Sequence, residues 1–164
     1  MMKLTNAIYS GVLCTVLFSA VVSAAVARFN IDSTTNGEPV VTDLATGRMW
    51  QQGSTLDTPT TWAAALAHCE SMTYAGYTDW RLPSINELLT LVDEKKEVAP
   101  AINTVFFTNF ESSSSYWTAT THRRQDQAAY VIYFNEQNTT IGKGGVGGLA
   151  KTFTAQALCV RTEN

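Results

Sequence analysis

Few side chains in this 164-residue chain could do chemistry. Two histidines, His68 and His122, and three cysteines, Cys14, Cys69 and Cys159, are its candidate bases, nucleophiles and soft metal ligands. His68 adjoins Cys69, as a base adjoins its thiol, but neighbours in a helix point about 100° apart. No Cys-x-x-Cys, His-Glu-x-x-His or regular acidic calcium loop is present, so neither a metal site nor a catalytic residue is expected. Asp79 and Glu87 are the carboxylates that could hydrolyse a glycoside. Glu87 also completes a Ser84-x-x-Glu87 capping box, and Asp79-Trp80-Arg81-Leu82-Pro83 reads more simply as a buried, salt-bridged turn. Gly145-Val146-Gly147-Gly148-Leu149-Ala150-Lys151-Thr152 is one residue from a phosphate-binding loop, with Ala150 where its second glycine belongs. It lacks the strand-before, helix-after setting of that motif and is expected to be a flexible loop, with no cofactor.

Recognition groups are easier to find. Arg123, Arg124, Lys143 and Lys151 could contact an anionic ligand, guanidinium groups being suited to bidentate bonds with sulfate or carboxylate; the plainer reading is solvated surface charge. Four tryptophans, Trp50, Trp62, Trp80 and Trp117, could stack on sugars, but their place in patterned segments favours core packing.

The elements that must hold these groups follow from pattern. Val40-Val41-Thr42-Asp43 and Arg48-Met49-Trp50-Gln51 flank a Leu44-Ala45-Thr46-Gly47 turn, a hairpin with Gly47 at positive φ. Thr58 and Pro59 are expected to cap and open a first helix. Its apolar stripe, Trp62, Ala65, Leu66, Cys69 and Met72, carries Cys69 inward, and Gly76 is a plausible stop. Ser84 caps a short second helix with Ile85, Leu88, Leu89, Leu91 and Val92 on its apolar face; Trp80 and Leu82 should be buried beneath it, with Asp79 and Arg81 bonded to backbone or to each other. Residues 116–120, 129–134 and 157–161 are strand-like, and 112–115 and 142–148 read as loops. The serine run, Thr121-His122-Arg123-Arg124 and residues 142–151 are expected to share one face near the strand ends. Helices early and strands late, without alternation, predict an α+β fold with an antiparallel sheet.

Residues 1–27 read as a secretory signal peptide: Lys3, a short apolar run, then Ala24-Ala25-Val26-Ala27. Cleavage is expected after Ala27, with Ala24 as second choice. A membrane anchor is the alternative, but Ser10, Gly11, Ser19 and Ser23 interrupt the run, which falls short of about 20 residues. Cys14 follows Leu13 and sits too early for a lipid-modified cysteine. Residues 28–38 then form a polar leader, and 39–164 a single domain. The processed chain loses only Lys3 among its charges, leaving ten Lys and Arg against 14 Asp and Glu, a net charge of −4. It keeps two cysteines, Cys69 and Cys159, which read as a disulfide in an exported protein. An intermolecular bridge or two free thiols are the alternatives. With 45% hydrophobic and 15% charged residues and no basic excess, the composition excludes disorder and nucleic-acid binding.

Five blocks occur in order: Trp50-Gln51; Trp62-x-x-Ala65-Leu66-x-x-Cys69; Ala75-Gly76-Tyr77-Thr78-Asp79-Trp80-Arg81-Leu82-Pro83-Ser84-x-x-Glu87-Leu88; Tyr116-Trp117-Thr118-Ala119-Thr120; and Cys159-Val160-Arg161. From about Val41 to Arg161 the chain resembles the Lcl C-terminal domain family, named for a collagen-like bacterial adhesin. The resemblance implies a C-type-lectin-like fold, related to that of the formylglycine-generating enzyme: two helices packed on a small twisted antiparallel β-sheet with long loops. It implies that the first helix is joined to the final strand, which would bring Cys69 and Cys159 together. It also implies a secreted or surface-exposed binding role, with trimer formation and glycosaminoglycan binding known for the name-giving adhesin. Here there is no Gly-x-y stalk, and neither the reactive cysteine pair of the enzyme branch nor a calcium-dependent lectin segment is present.

The expected function is a secreted, periplasmic or cell-surface binding module, adhesin-like and not an enzyme. Its partner would be a glycan, such as an acidic polysaccharide, or a surface protein, with oligomerisation open and a trimer only by analogy. A structural accessory subunit of an envelope assembly and an envelope glycan hydrolase are the alternatives.

Overall fold

Two small antiparallel sheets, not one, organise the chain. A computed structural model describes residues 27–33, 37–53, 58–108, 110–111, 115–135 and 144–162. The first sheet contains β1 (Phe29–Ser33), β2 (Pro39–Asp43), β3 (Arg48–Gln51) and β7 (Val160–Thr162), in that order. The second contains β4 (Ser115–Thr121), β5 (Ala128–Tyr133) and β6 (Gly145–Ala150). Helices α1 (Trp62–Ser71) and α2 (Ile85–Leu89) lie between β3 and β4 in sequence.

Side chains alternate across a strand, so neighbours in sequence point to opposite faces. Here both faces of each sheet are covered. Val40, Met49, Trp117, Ala129 and Val131 enter one core with Ala65 and Cys69 of α1. Val41, Trp50, Tyr116, Ile132 and Val160 enter a second with Leu88 of α2, Leu91 and Phe107. The registers agree, pairing Val41 with Trp50 and Trp117 with Val131. Two-sided burial explains why these strands read as runs of adjacent apolar residues. Trp50, Trp80 and Trp117 are buried, as core packing requires, and Trp62 is half-buried.

The expected hairpin forms, with Gly47 at φ 64°. The capping box also forms: Ser84 Oγ accepts from the Glu87 N–H, and the Glu87 carboxylate accepts from the Ser84 N–H. Four expectations are corrected. The segment read as a polar leader contains β1, fully paired along β2, with Phe29 in the second core. The first helix starts at Trp62 with Thr61 at its N-cap, not at Thr58-Pro59, because Thr60 exchanges both backbone hydrogen bonds with Ala155 and cannot turn helical. Of 157–161, only the end belongs to a regular strand, β7; residues 155–159 run buried between the sheets, bonding Trp117 through Gln156 and Gln51 through Cys159. Trp80 and Leu82 lie in the core of α1, not beneath α2.

A further correction is the glycine-rich stretch, whose second half is strand β6 rather than loop. Its glycines make room for aromatic rings. A Cβ at Gly147 would lie 2.7 Å from Tyr133 Cε2, and one at Gly148 would lie 3.0 Å from His122 Cδ2. Glycine in a strand often marks such close approach. Gly147→Ala should therefore destabilise the domain by about 1–3 kcal/mol in urea unfolding; an unchanged midpoint would show that Tyr133 yields freely.

Candidate functional site

The candidate recognition surface is the turn between β4 and β5. It is closed by hydrogen bonds from the His122 N–H to Ala128 O (2.9 Å), the Gln125 N–H to His122 O (3.1 Å) and the Ala128 N–H to Gln125 O (2.9 Å). Behind it, the His122 ring lies 4.7 Å from that of Tyr130, over the space left by Gly148. The end of β6 is tied to the turn by the Lys151 N–H donating to Gln127 O at 2.8 Å. Lys151 Nζ donates to Thr121 Oγ1 at 3.0 Å and stands 4.1 Å from the centre of the Trp62 ring. Trp62 is fixed in turn, its Nε1–H donating to Thr118 O at 2.9 Å. An open depression of about 370 Å³, lined by Gln125, Asp126, Gln127, Ala128 and Ala150, adjoins the turn.

At the tip of this braced turn, Arg123 and Arg124 are exposed, and neither guanidinium has a partner among the described residues. The chain's four other arginines all do. Arg28 pairs with Asp43 (2.7 Å), Arg48 (3.0 Å) and Arg81 (2.7 Å) with Glu87, and Arg161 with Asp79 (2.7 Å).

Of the four cations grouped by sequence, Arg123, Arg124 and Lys151 are described. Lys151 lies at the same end of the second sheet as Arg123 and Arg124, since Ala128 pairs with Ala150. Ser115 and Gly145 both pair with Tyr133, so β4 and β6 begin at the opposite end of that sheet. Lys143 and residues 112–114 lie outside the described residues, as do residues 1–26 of the expected signal peptide.

The carboxylate pair has a structural role. Glu87 accepts from both terminal nitrogens of Arg81 (2.7 and 2.8 Å), from Arg48 Nε (3.0 Å) and from the Ser84 N–H (2.8 Å). These bonds, Arg81's first, outweigh burial and hold its carboxyl well below the usual carboxylate range, so it is no proton donor near neutrality. Asp79, also held low by its hydrogen bond from Arg161, pairs across to β7 rather than with Arg81. Arg161 is buried, and its guanidinium lies 3.8 Å from the centre of the Tyr77 ring. The partners Arg48 and Arg161 were not legible in sequence, because the β3–β7 pairing that delivers them joins residues more than a hundred positions apart.

Cys69 and Cys159 form a disulfide with a Cα–Cα distance of 5.6 Å. It lies buried in the α1 core, so the adjacent His68 faces no thiol; burial keeps His68 below its usual pKa. A disulfide of this kind fits an oxidising compartment. Among the described residues no helix is long and apolar enough to cross a membrane.

Together these features define a disulfide-tied α+β domain whose internal charges hold the scaffold while one basic turn faces outward. The chain belongs to the Lcl C-terminal domain family, whose model matches residues 39–161. A search of curated proteins finds no match.

Proposed function

We propose that the chain is an exported, non-catalytic binding module that recognises an anionic ligand, an acidic polysaccharide above all, through the Arg123–Arg124 turn. The observation that carries this reading is the contrast among arginines: four are consumed by scaffold carboxylates, and two adjacent ones are left outward on a braced turn. Guanidinium groups bond carboxylate and sulfate oxygens in pairs, and a fixed turn lessens the ordering cost of binding. Lys151 adds positive charge at the same end of the sheet. A C-type-lectin-like arrangement and a secreted or cell-surface location belong to the same reading, supported by family membership, the disulfide and the two-helix, two-sheet architecture. The fixation of Glu87 supports a non-catalytic role.

The probe is retention on immobilised heparin and on a carboxylated polysaccharide at low salt. Binding through two exposed arginines should weaken as salt shortens the screening length to about 8–10 Å. The Arg123→Ala/Arg124→Ala protein should elute at clearly lower salt with an unchanged melting temperature. Unaltered retention of the double variant on both matrices would remove the proposal.

A further inference from the structure

A cavity of about 670 Å³ lies where the expected processed chain begins. Its lining includes Ala27, Arg28, Phe29, Asp93, Glu94 and Phe106. Arg28 is held at three points. Its carbonyl accepts from the Leu44 N–H at 2.8 Å, and its guanidinium grips both oxygens of the buried Asp43 carboxylate at 3.2 and 2.7 Å. The same guanidinium lies 4.6 Å from the centre of the Phe29 ring, and that ring packs against Phe106 and Phe107 at 5.6 and 5.7 Å. The backbone nitrogen of Arg28 is therefore fixed at the cavity wall. In the same lining, neither Asp93 nor Glu94 has a cation partner among the described residues; Asp93 Oδ1 accepts only from the Lys95 N–H, at 3.1 Å.

We propose that export processing completes this site: cleavage after Ala27 creates an α-ammonium on Arg28 that enters the cavity and pairs with Asp93 and Glu94. Water adds across the Ala27–Arg28 peptide bond in the signal-peptidase reaction; its hydroxyl goes to the Ala27 carbonyl carbon, and its proton goes to the Arg28 nitrogen. A second proton from solvent gives the ammonium. The unprocessed chain has an uncharged amide at that point and Ala27 against the wall. The ion pair would thus lock β1 only in the processed protein. This inference rests on the export reading and on the Ala27 boundary.

The charged groups facing the new ammonium are Asp93, Glu94, Lys95 and the Arg28 guanidinium, the last already engaged by Asp43. An amine that gains carboxylate partners on folding has its pKa raised above the unfolded value. Its stabilisation is full below about pH 8, the ordinary α-amino value, and is lost as pH rises through the folded pKa.

The test compares a chain starting at Arg28, released from a fusion without extra residues, with one retaining Ala25-Val26-Ala27. At pH 6.5 the Arg28 chain should melt about 3 °C higher. The gap should close as the amine deprotonates in alkali and should vanish in the Asp93→Asn/Glu94→Gln background. Equal melting temperatures, or a gap indifferent to pH and to that substitution, overturn the ion pair. N-terminal sequencing of the exported protein reads the other half independently: Arg28 as first residue supports the proposal, and any other residue overturns its processing step.

Discussion

Cys69→Ala/Cys159→Ala lowers the unfolding free energy of the oxidised domain by about 4–5 kcal/mol, the expected contribution of a bridge closing a loop of this length. The two cysteines are 90 residues apart, and the bridge joins α1 to the chain just before β7. Without it, the unfolded chain regains the freedom that the crosslink removes. The folded state also loses two sulfur atoms from a fully buried position in the α1 core. Since whole domains are stable by only about 5–15 kcal/mol, the variant should be close to its unfolding threshold. Chemical denaturation with and without a thiol reductant checks this: reductant should bring the wild-type midpoint down toward that of the variant. A variant as stable as the oxidised parent would show that the bridge makes no net contribution to stability.

Glu87→Gln should have the next largest effect, a loss of about 2–3 kcal/mol. One carboxylate serves Arg81 of the turn before α2, Arg48 of β3 and the Ser84 N–H at the α2 cap. Its side chain is only 12% exposed, while those of Arg48 and Arg81 are 27% and 42% exposed. Water therefore softens the loss of either arginine far more than the loss of the acid. Arg81→Ala should cost less, about 1–2 kcal/mol, because Glu87 keeps Arg48 and the cap. The pH dependence has a definite sign. The folded pKa of Glu87 is depressed, so its stabilisation is present above the unfolded value, about 4.3, and is lost as pH falls from there toward the folded value. Wild-type stability should fall through that acid window, and the Glu87→Gln profile should be flatter there. Equal slopes, or an Arg81→Ala loss larger than that of Glu87→Gln, would contradict the central place given to Glu87.

The contrast between these two substitutions shows where sequence reading loses sight of the site. The capping box was legible because its bonds span three residues, and the apolar face of α1 because its period is local. Nothing local joins Arg48 to Glu87 or Arg161 to Asp79, at separations of 39 and 82 residues. Sequence therefore offers Asp79 only the backbone or Arg81, the nearest opposite charge, as a partner. The exposed pair Arg123–Arg124 was visible as a candidate, but what distinguishes it from the other arginines is the lack of a partner, a property of the folded surface.

By itself, the sequence determined the α+β class, the β2–β3 hairpin, the capping box of α2, the inward placement of Cys69 and the family to which residues 39–161 belong. All of these depend on turn chemistry, short periodicities or the order of motifs, which a chain carries before it folds. Only the tertiary structure decided that there are two sheets with a core on each face, that Phe29–Ser33 is a strand rather than a leader, and that the glycine stretch pairs as β6. It also placed the start of β6 at the opposite end of the second sheet from the basic turn. The reason is physical: a strand is stabilised by its neighbours in the sheet, and a glycine by the ring packed over it. Those partners are distant in sequence, so the polar residues of β1 and the glycines of β6 look like loop until the opposite strand is in place.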